Sequence, residues 1–201
     1  MFMEGPLVEY HPVSLPVDWN GGIAYLDRDG VLNLGSANYV KNVDEVLILK
    51  GVSEAIMSLR NAGYRIVIVT NQSPLSRGLL DQKALESIHS HIQDLVGEFD
   101  VIMTCPHRTF DGCRCRKPHP GMLNSASELL RGVSHKKLDW WGEKPIPVHP
   151  LDLMVGDRKS DMGAGWAVGA RLFKVDKRVG IPQIIDRIIA GDAGDLFDPG
   201  D

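Results

Sequence analysis

Cysteine is scarce in this chain: there are three in 201 residues, and all lie between Cys105 and Cys115. Thiols confined to one short segment cannot staple distant parts of a fold. They suit a metal clip in a reducing compartment better than a disulfide framework. Long apolar runs are missing too, and none approaches the roughly eighteen residues needed to span a bilayer. Residues 1–16 have neither a basic start nor a long apolar centre, so no secretory signal is read there and a cytoplasmic location is expected. A basic excess is also absent. Lys and Arg number 22 against 26 Asp and Glu, and a net charge of −4 gives no support for a nucleic-acid partner. Repeats and low-complexity tracts do not occur. What is present is ordinary for a globular domain: 43% hydrophobic and 24% charged residues, with a length that suits one substantial core better than two.

Short apolar, β-branched runs alternate with helical patterns. Residues 22–27, 65–70, 101–104, 151–155 and 171–175 read as strands, with a further short one at 46–49. Helices are expected over 52–61, from the Asp81 cap to about Val96 with Leu85, Ile88, Ile92 and Leu95 on one stripe, near 121–130, 160–168 and 181–190. That alternation predicts an α/β fold with a doubly wound parallel sheet. Residues 1–21 read as an irregular arm, 22–190 as a single domain and 191–201 as a frayed tail. The stretch 132–150, with Trp140-Trp141-Gly142 and several prolines, is expected to be a surface loop packed down by its tryptophans.

Polar landmarks follow the strands. In an open parallel sheet ligands bind beyond the carboxyl ends of strands, so Asp27 and Asp29, Thr70, Lys117 and Asp157 should meet in one crevice. Asp27 and Asp29 are two apart and would point to the same side of extended backbone. Two bare carboxylates about 6–7 Å apart repel by roughly 2–3 kcal/mol at an effective dielectric near 20, and a divalent cation removes that cost. Each landmark alone has a plainer reading: Asp-Gly is a common turn, Thr70 a capping residue, Lys117 a solvated lysine. Cys105, His107, Cys113 and Cys115 offer three thiolates and an imidazole, a complete tetrahedral zinc shell of the structural kind. His89 and His91 fall on an amphipathic helix and read as exposed or packed side chains.

The segment Ala24-Tyr25-Leu26-Asp27-Arg28-Asp29-Gly30-Val31-Leu32-Asn33 resembles the first motif of the haloacid-dehalogenase (HAD) superfamily of phosphotransferases. Thr70-Asn71-Gln72-Ser73 is similar to its second motif, Arg116-Lys117-Pro118 to its third, and Gly156-Asp157-Arg158-Lys159-Ser160-Asp161 to its fourth. Within the superfamily the pattern looks like the heptose-bisphosphate phosphatases, with the histidinol-phosphate phosphatases next. The resemblance implies a three-layer Rossmann-like fold with a zinc loop before the third motif. The gaps after the first two motifs are too short for a large cap domain. It also implies a nucleophile at Asp27, an acid–base group at Asp29, and charge stabilisation by Thr70 and Lys117. Magnesium would be held by Asp27, the Asp29 backbone carbonyl and Asp157, with Asp161 either supporting that metal or capping a helix.

Tyr39, Asn71, Gln72, Ser73, Arg116 and Arg158 are the candidate substrate-binding residues. Ser73 with Arg77-Gly78 matches the heptose branch, whereas Pro74 stands where either group has glycine and removes an N–H donor. The implied partner is a small phosphorylated metabolite, a sugar bisphosphate, with no nucleic acid or membrane and a monomer as the expected state. Two other readings stay open: a histidinol-phosphate or broader small-molecule phosphatase, and a non-catalytic module stabilised by zinc.

Overall fold

In the computed structural model, residues 5–36, 38–136 and 139–200 are described. Strand β1 (Leu7–Tyr10) is followed by β2 (Ile23–Leu26), helix α1 (Val52–Asn61), β3 (Arg65–Asn71), α2 (Gln82–Val96) and β4 (Val101–Cys105). The chain continues through α3 (Gly121–Arg131), β5 (Leu153–Gly156), α4 (Lys159–Ala167), β6 (Arg171–Lys174) and the short α5 (Ile185–Ile189). The six strands lie in the order β1-β4-β3-β2-β5-β6. All neighbours are parallel except β1, which runs antiparallel along β4.

The β-branched run Ile66–Val69 is buried throughout because helices cover both faces of the sheet. On one face α1, α2 and α5 pack through residues such as Ile56, Leu59, Ile88, Ile92 and Ile188. On the other, α3 and α4 contribute Met122, Leu123, Ala126, Met162 and Ala164. Chain order reverses between β2 and β5, which opens the crevice at their carboxyl ends. Asp27 and Asp157 are the first residues beyond those two strands.

Several expectations are corrected. The arm is not irregular throughout: Leu7–Tyr10 pairs with Val101–Thr104 as an edge strand, because β4 would otherwise present an unpaired edge. Residues 46–49 make only an isolated bridge, Asn33 to Ile48. Of the stripe expected on α2, Leu95 is exposed, at 49%, while Val96 and His89 are buried with Leu85, Ile88 and Ile92. The final helix is broken into a turn of 3₁₀ helix at Ile181–Gln183 and α5.

The tail is held as far as Asp195. Its N–H donates to the Leu172 carbonyl at 2.6 Å, and its carboxylate accepts from the Lys174 N–H at 2.8 Å and from Arg187 at 2.9 Å. The described part of the 132–150 stretch carries no helix or strand. Trp140 lies against Gly163, where an added Cβ would stand 3.1 Å from the ring, and Asp139 pairs with Arg114 of the cysteine loop at 3.1 Å.

Candidate active site

The carboxyl ends of β2, β3 and β5 each deliver part of one cleft of about 250 Å³. Asp27, Asp29, Thr70, Asn71, Lys117 and Asp161 line its floor, and Tyr39, Arg116 and Arg158 stand around it. Asp27 and Lys117 are both buried, with Lys117 Nζ 2.9 Å from Asp27 Oδ1 and 2.7 Å from Asp161 Oδ1. Burial opposes the charge on Lys117, yet the two carboxylates outweigh it and hold the ammonium above its ordinary pKa. Asp27 goes the other way. Burial pushes its carboxyl up to about 6 despite Lys117, and Asp161 and Asp29 add to the rise.

Ligand atoms of Asp27, Asp157 and Asp161 lie within 4.8 Å of one another. Asp157 Oδ1 is buried without a hydrogen-bond partner, and burial followed by the Asp27 charge raises its pKa. Three carboxylates facing one ammonium, with a buried oxygen unpaired, fit a divalent cation that prefers oxygen ligands.

Two glycines permit this crowding. Gly156 has no Cβ because an added one would sit 2.2 Å from Asp161 Cβ, and one on Gly30 (φ +87°) would meet the Asp157 carboxyl carbon at 2.8 Å. Asp161 serves twice: Oδ2 caps α4 by accepting from the Arg158 N–H at 3.0 Å, while Oδ1 faces Lys117.

Asp29 is held differently. Its carboxylate accepts from Arg28 Nη2 at 2.8 Å, Asn33 Nδ2 at 2.8 Å and Gln72 Nε2 at 3.0 Å. Burial alone would raise its pKa, but Arg28, Asn33 and Gln72 together bring it below the usual carboxylate value. Gln72, expected to touch substrate, is buried and also donates to Thr70 Oγ1 at 2.9 Å. Ser73 is buried with its Oγ 3.4 Å from the Tyr39 hydroxyl. Asn71 makes a two-way bond to the backbone of Lys117: Nδ2 donates to its carbonyl and Oδ1 accepts from its N–H, each at 3.1 Å. Arg116 donates to the His107 carbonyl at 3.0 Å, tying the cleft wall to the cysteine loop, and the Arg158 side chain is 73% exposed.

Behind that wall the Cys105, His107, Cys113 and Cys115 ligand atoms also lie within 4.8 Å of one another. Sγ of Cys105 is 3.4 Å from Sγ of Cys115 and 3.7 Å from that of Cys113, and His107 Nδ1 is 3.2 Å from Cys115. Metal–sulfur bonds of about 2.3 Å in a tetrahedron put sulfurs nearly 4 Å apart, so the set fits such an ion. Hydrogen bonding from Cys115 lowers the Cys105 thiol to about 6, while Cys115 and the half-buried Cys113 are pushed up. Three adjacent thiols cannot all ionise without a cation among them.

Sequence reasoning assigns no role to Arg28 or Asn33, and it reads Gln72 as a substrate contact rather than as a support for Asp29. Arg28, only 1% exposed, sits between two aspartates at a strand end, and a buried guanidinium there needs a carboxylate. That signal was available.

A family model described as polynucleotide kinase 3 phosphatase matches residues 23–142. The chain is 46% identical to D-glycero-beta-D-manno-heptose-1,7-bisphosphate 7-phosphatase of Pseudomonas aeruginosa over 51% of its own length and 60% of that protein. It is 34% identical to D-glycero-alpha-D-manno-heptose-1,7-bisphosphate 7-phosphatase of Mycobacterium tuberculosis, covering 73% of this chain and 72% of the relative. Among solved structures it is similar to D,D-heptose 1,7-bisphosphate phosphatase from B. bronchiseptica, complexed with magnesium and phosphate. That match has a TM-score of 0.66 and 31% identity, over 83% of this chain and 99% of that one. The chain therefore belongs to the haloacid-dehalogenase phosphatases, in the family that includes the heptose-bisphosphate phosphatases.

Proposed function

We propose that this protein is a magnesium-dependent phosphatase that hydrolyses a sugar bisphosphate, D-glycero-D-manno-heptose 1,7-bisphosphate, to the 1-phosphate. The observation that carries the reading is the pairing of Asp27 with Lys117 at 2.9 Å beside the Asp157 and Asp161 carboxylates, at the sheet's switch point. The names of the relatives supply the substrate. They include both anomers, so the anomer is part of the test.

Asp27 Oδ attacks phosphorus in line, forming the P–O bond of an aspartyl-phosphate as the bond to the sugar oxygen breaks. Asp29 hands a proton to that leaving oxygen, then takes one from the water that cleaves the aspartyl-phosphate. In the free protein Asp29 is a carboxylate, so entry of the anionic phosphate is what favours its protonated form. Lys117 and Thr70 hold the phosphoryl oxygens as charge develops on them. Asp27, Asp157 and the Asp29 backbone carbonyl would hold Mg²⁺, whose charge at this place offsets that of phosphate and carboxylate. Arg116 and Arg158 would take the distal phosphate or the sugar hydroxyls. The clip of Cys105, His107, Cys113 and Cys115 would hold a structural zinc ion and so fix Arg116 and Lys117. Reduced thiols of this kind suit a cytoplasmic protein.

The matched family model is named for a polynucleotide phosphatase, but a net charge of −4 disfavours a nucleic-acid end as substrate. The test is phosphate release from both heptose bisphosphate anomers, histidinol phosphate and a 3′-phosphorylated oligonucleotide, with and without Mg²⁺. Preference for a heptose bisphosphate, lost without Mg²⁺, is expected. Preference for histidinol phosphate would shift the assignment to that phosphatase, and no turnover of any of the four would leave the zinc-stabilised binding module.

A further inference from the structure

The arm strand β1 reaches the acid–base group through three side chains. Glu9, on β1 opposite Ile102 of β4, has its Oε1 2.6 Å from Nδ1 of His89 on α2. The other ring nitrogen, Nε2, is 3.4 Å from Arg28 Nη1. The remaining face of the Arg28 fork is turned on Asp29, with Nε at 3.2 Å from Oδ1 and Nη2 at 2.8 Å from Oδ2. His89 is 2% exposed and Arg28 1%.

The tautomer follows from the partners. An arginine can only donate and a carboxylate only accept, so the imidazole between them is neutral, donates from Nδ1 to Glu9 and accepts at Nε2. Burial lowers the His89 pKa against the pull of Glu9, in keeping with a neutral ring. With the opposite tautomer, or with no acceptor at this place, a buried Nη1–H would lose its partner and the guanidinium would rotate to find another.

We infer that Glu9 and His89 are positioning residues for the proposed reaction: together they fix Arg28 so that its fork holds the Asp29 carboxylate at the leaving oxygen. This rests on the proposed function, since it gives Asp29 its role. Neither residue touches the cleft. Their effect runs entirely through the orientation of one guanidinium, and the strand that supplies Glu9 lies in the arm before the first motif.

The test uses the full chain with Mg²⁺ and two esters that differ in what the leaving oxygen needs. A sugar alkoxide must be protonated to depart, whereas 2,4-dinitrophenolate departs without help. Glu9→Leu should lower kcat/KM for heptose bisphosphate about fivefold or more, and His89→Leu about tenfold or more. KM should stay within about twofold, and kcat/KM for 2,4-dinitrophenyl phosphate should hold in both variants. Glu9→Gln keeps an acceptor for Nδ1–H and should restore activity on the sugar to within about twofold. Parallel losses on both esters would mark a merely structural role and overturn the inference, as would unchanged activity in Glu9→Leu or no rescue by Gln. If His89→Leu does not fold, the Glu9 pair on the edge strand decides alone. A wild-type chain inactive on both esters removes the proposed function and this inference with it, whereas an active one with parallel losses removes the inference only.

Discussion

Replacing Lys117 with methionine keeps the length of the side chain and deletes its charge. Lys117 is 3% exposed and its ammonium lies 2.9 Å from Asp27 and 2.7 Å from Asp161, so its removal leaves buried carboxylates facing each other. Stranding one partner of a buried ion pair costs about 3–5 kcal/mol. For a chain of this size that is roughly 6–20 °C in Tm, at about 2–4 °C per kcal/mol. The loss should depend on pH in a definite sense. The Asp27 pKa in the fold, about 6, already exceeds the ordinary carboxylate value, so its ionisation works against folding. The favourable contribution of the protonated form is complete below pH 4 and disappears as pH rises through 6. Without Lys117 the folded pKa climbs further, so the Tm gap between wild type and variant should be small near pH 5 and widen towards pH 8. Saturating Mg²⁺ should close part of the gap, while kcat falls about 10²- to 10³-fold for want of a cation at the phosphoryl oxygens. Calorimetric scans of the metal-free protein at several pH values, with and without Mg²⁺, give the answer. A gap independent of pH, or one that Mg²⁺ leaves untouched, would refute the placement of the ion beside Asp27.

Mg²⁺ affinity of the wild type should weaken about tenfold between pH 7.5 and pH 5 in titration calorimetry, because below about 6 a proton occupies Asp27 and must be displaced. Stripping metal from the cysteine loop with a thiol-competing chelator should release one zinc per chain and lower kcat about tenfold, through Arg116 and Lys117. Arg116→Ala should raise KM for a heptose bisphosphate far more than for a simple aryl phosphate in steady-state assays, since only the former has a distal group to lose.

The fold and the centre of the site were legible because their signals are strong and local. Ile66–Val69 can only be a strand covered on both sides; Asp27 and Asp157 directly follow such strands, Thr70 lies near the end of β3, and Lys117 stands two residues beyond Cys115. What was not legible depends on distance in the chain. Leu7–Tyr10 becomes a strand only because β4 needs a neighbour, and nothing in its own alternation demands it. His89 lies on the buried stripe of its helix, yet its partners come from β1 and from the loop after β2, 80 and 61 residues away. Gln72 was read as a substrate contact from its place beside Thr70, but its side chain turns inward to Asp29. Asp161 left two roles open in the sequence, metal support or helix cap; the structure shows the cap and adds a pairing with Lys117, and the glycine at position 156 lets it stand close enough for these two contacts.

By engaging the Leu172 carbonyl and the Lys174 amide, Asp195 occupies hydrogen-bonding positions that an incoming strand from another copy would require. Trimming the chain before that residue would free this border for edge-to-edge growth, so shortened versions should precipitate more readily even where their chemistry is intact.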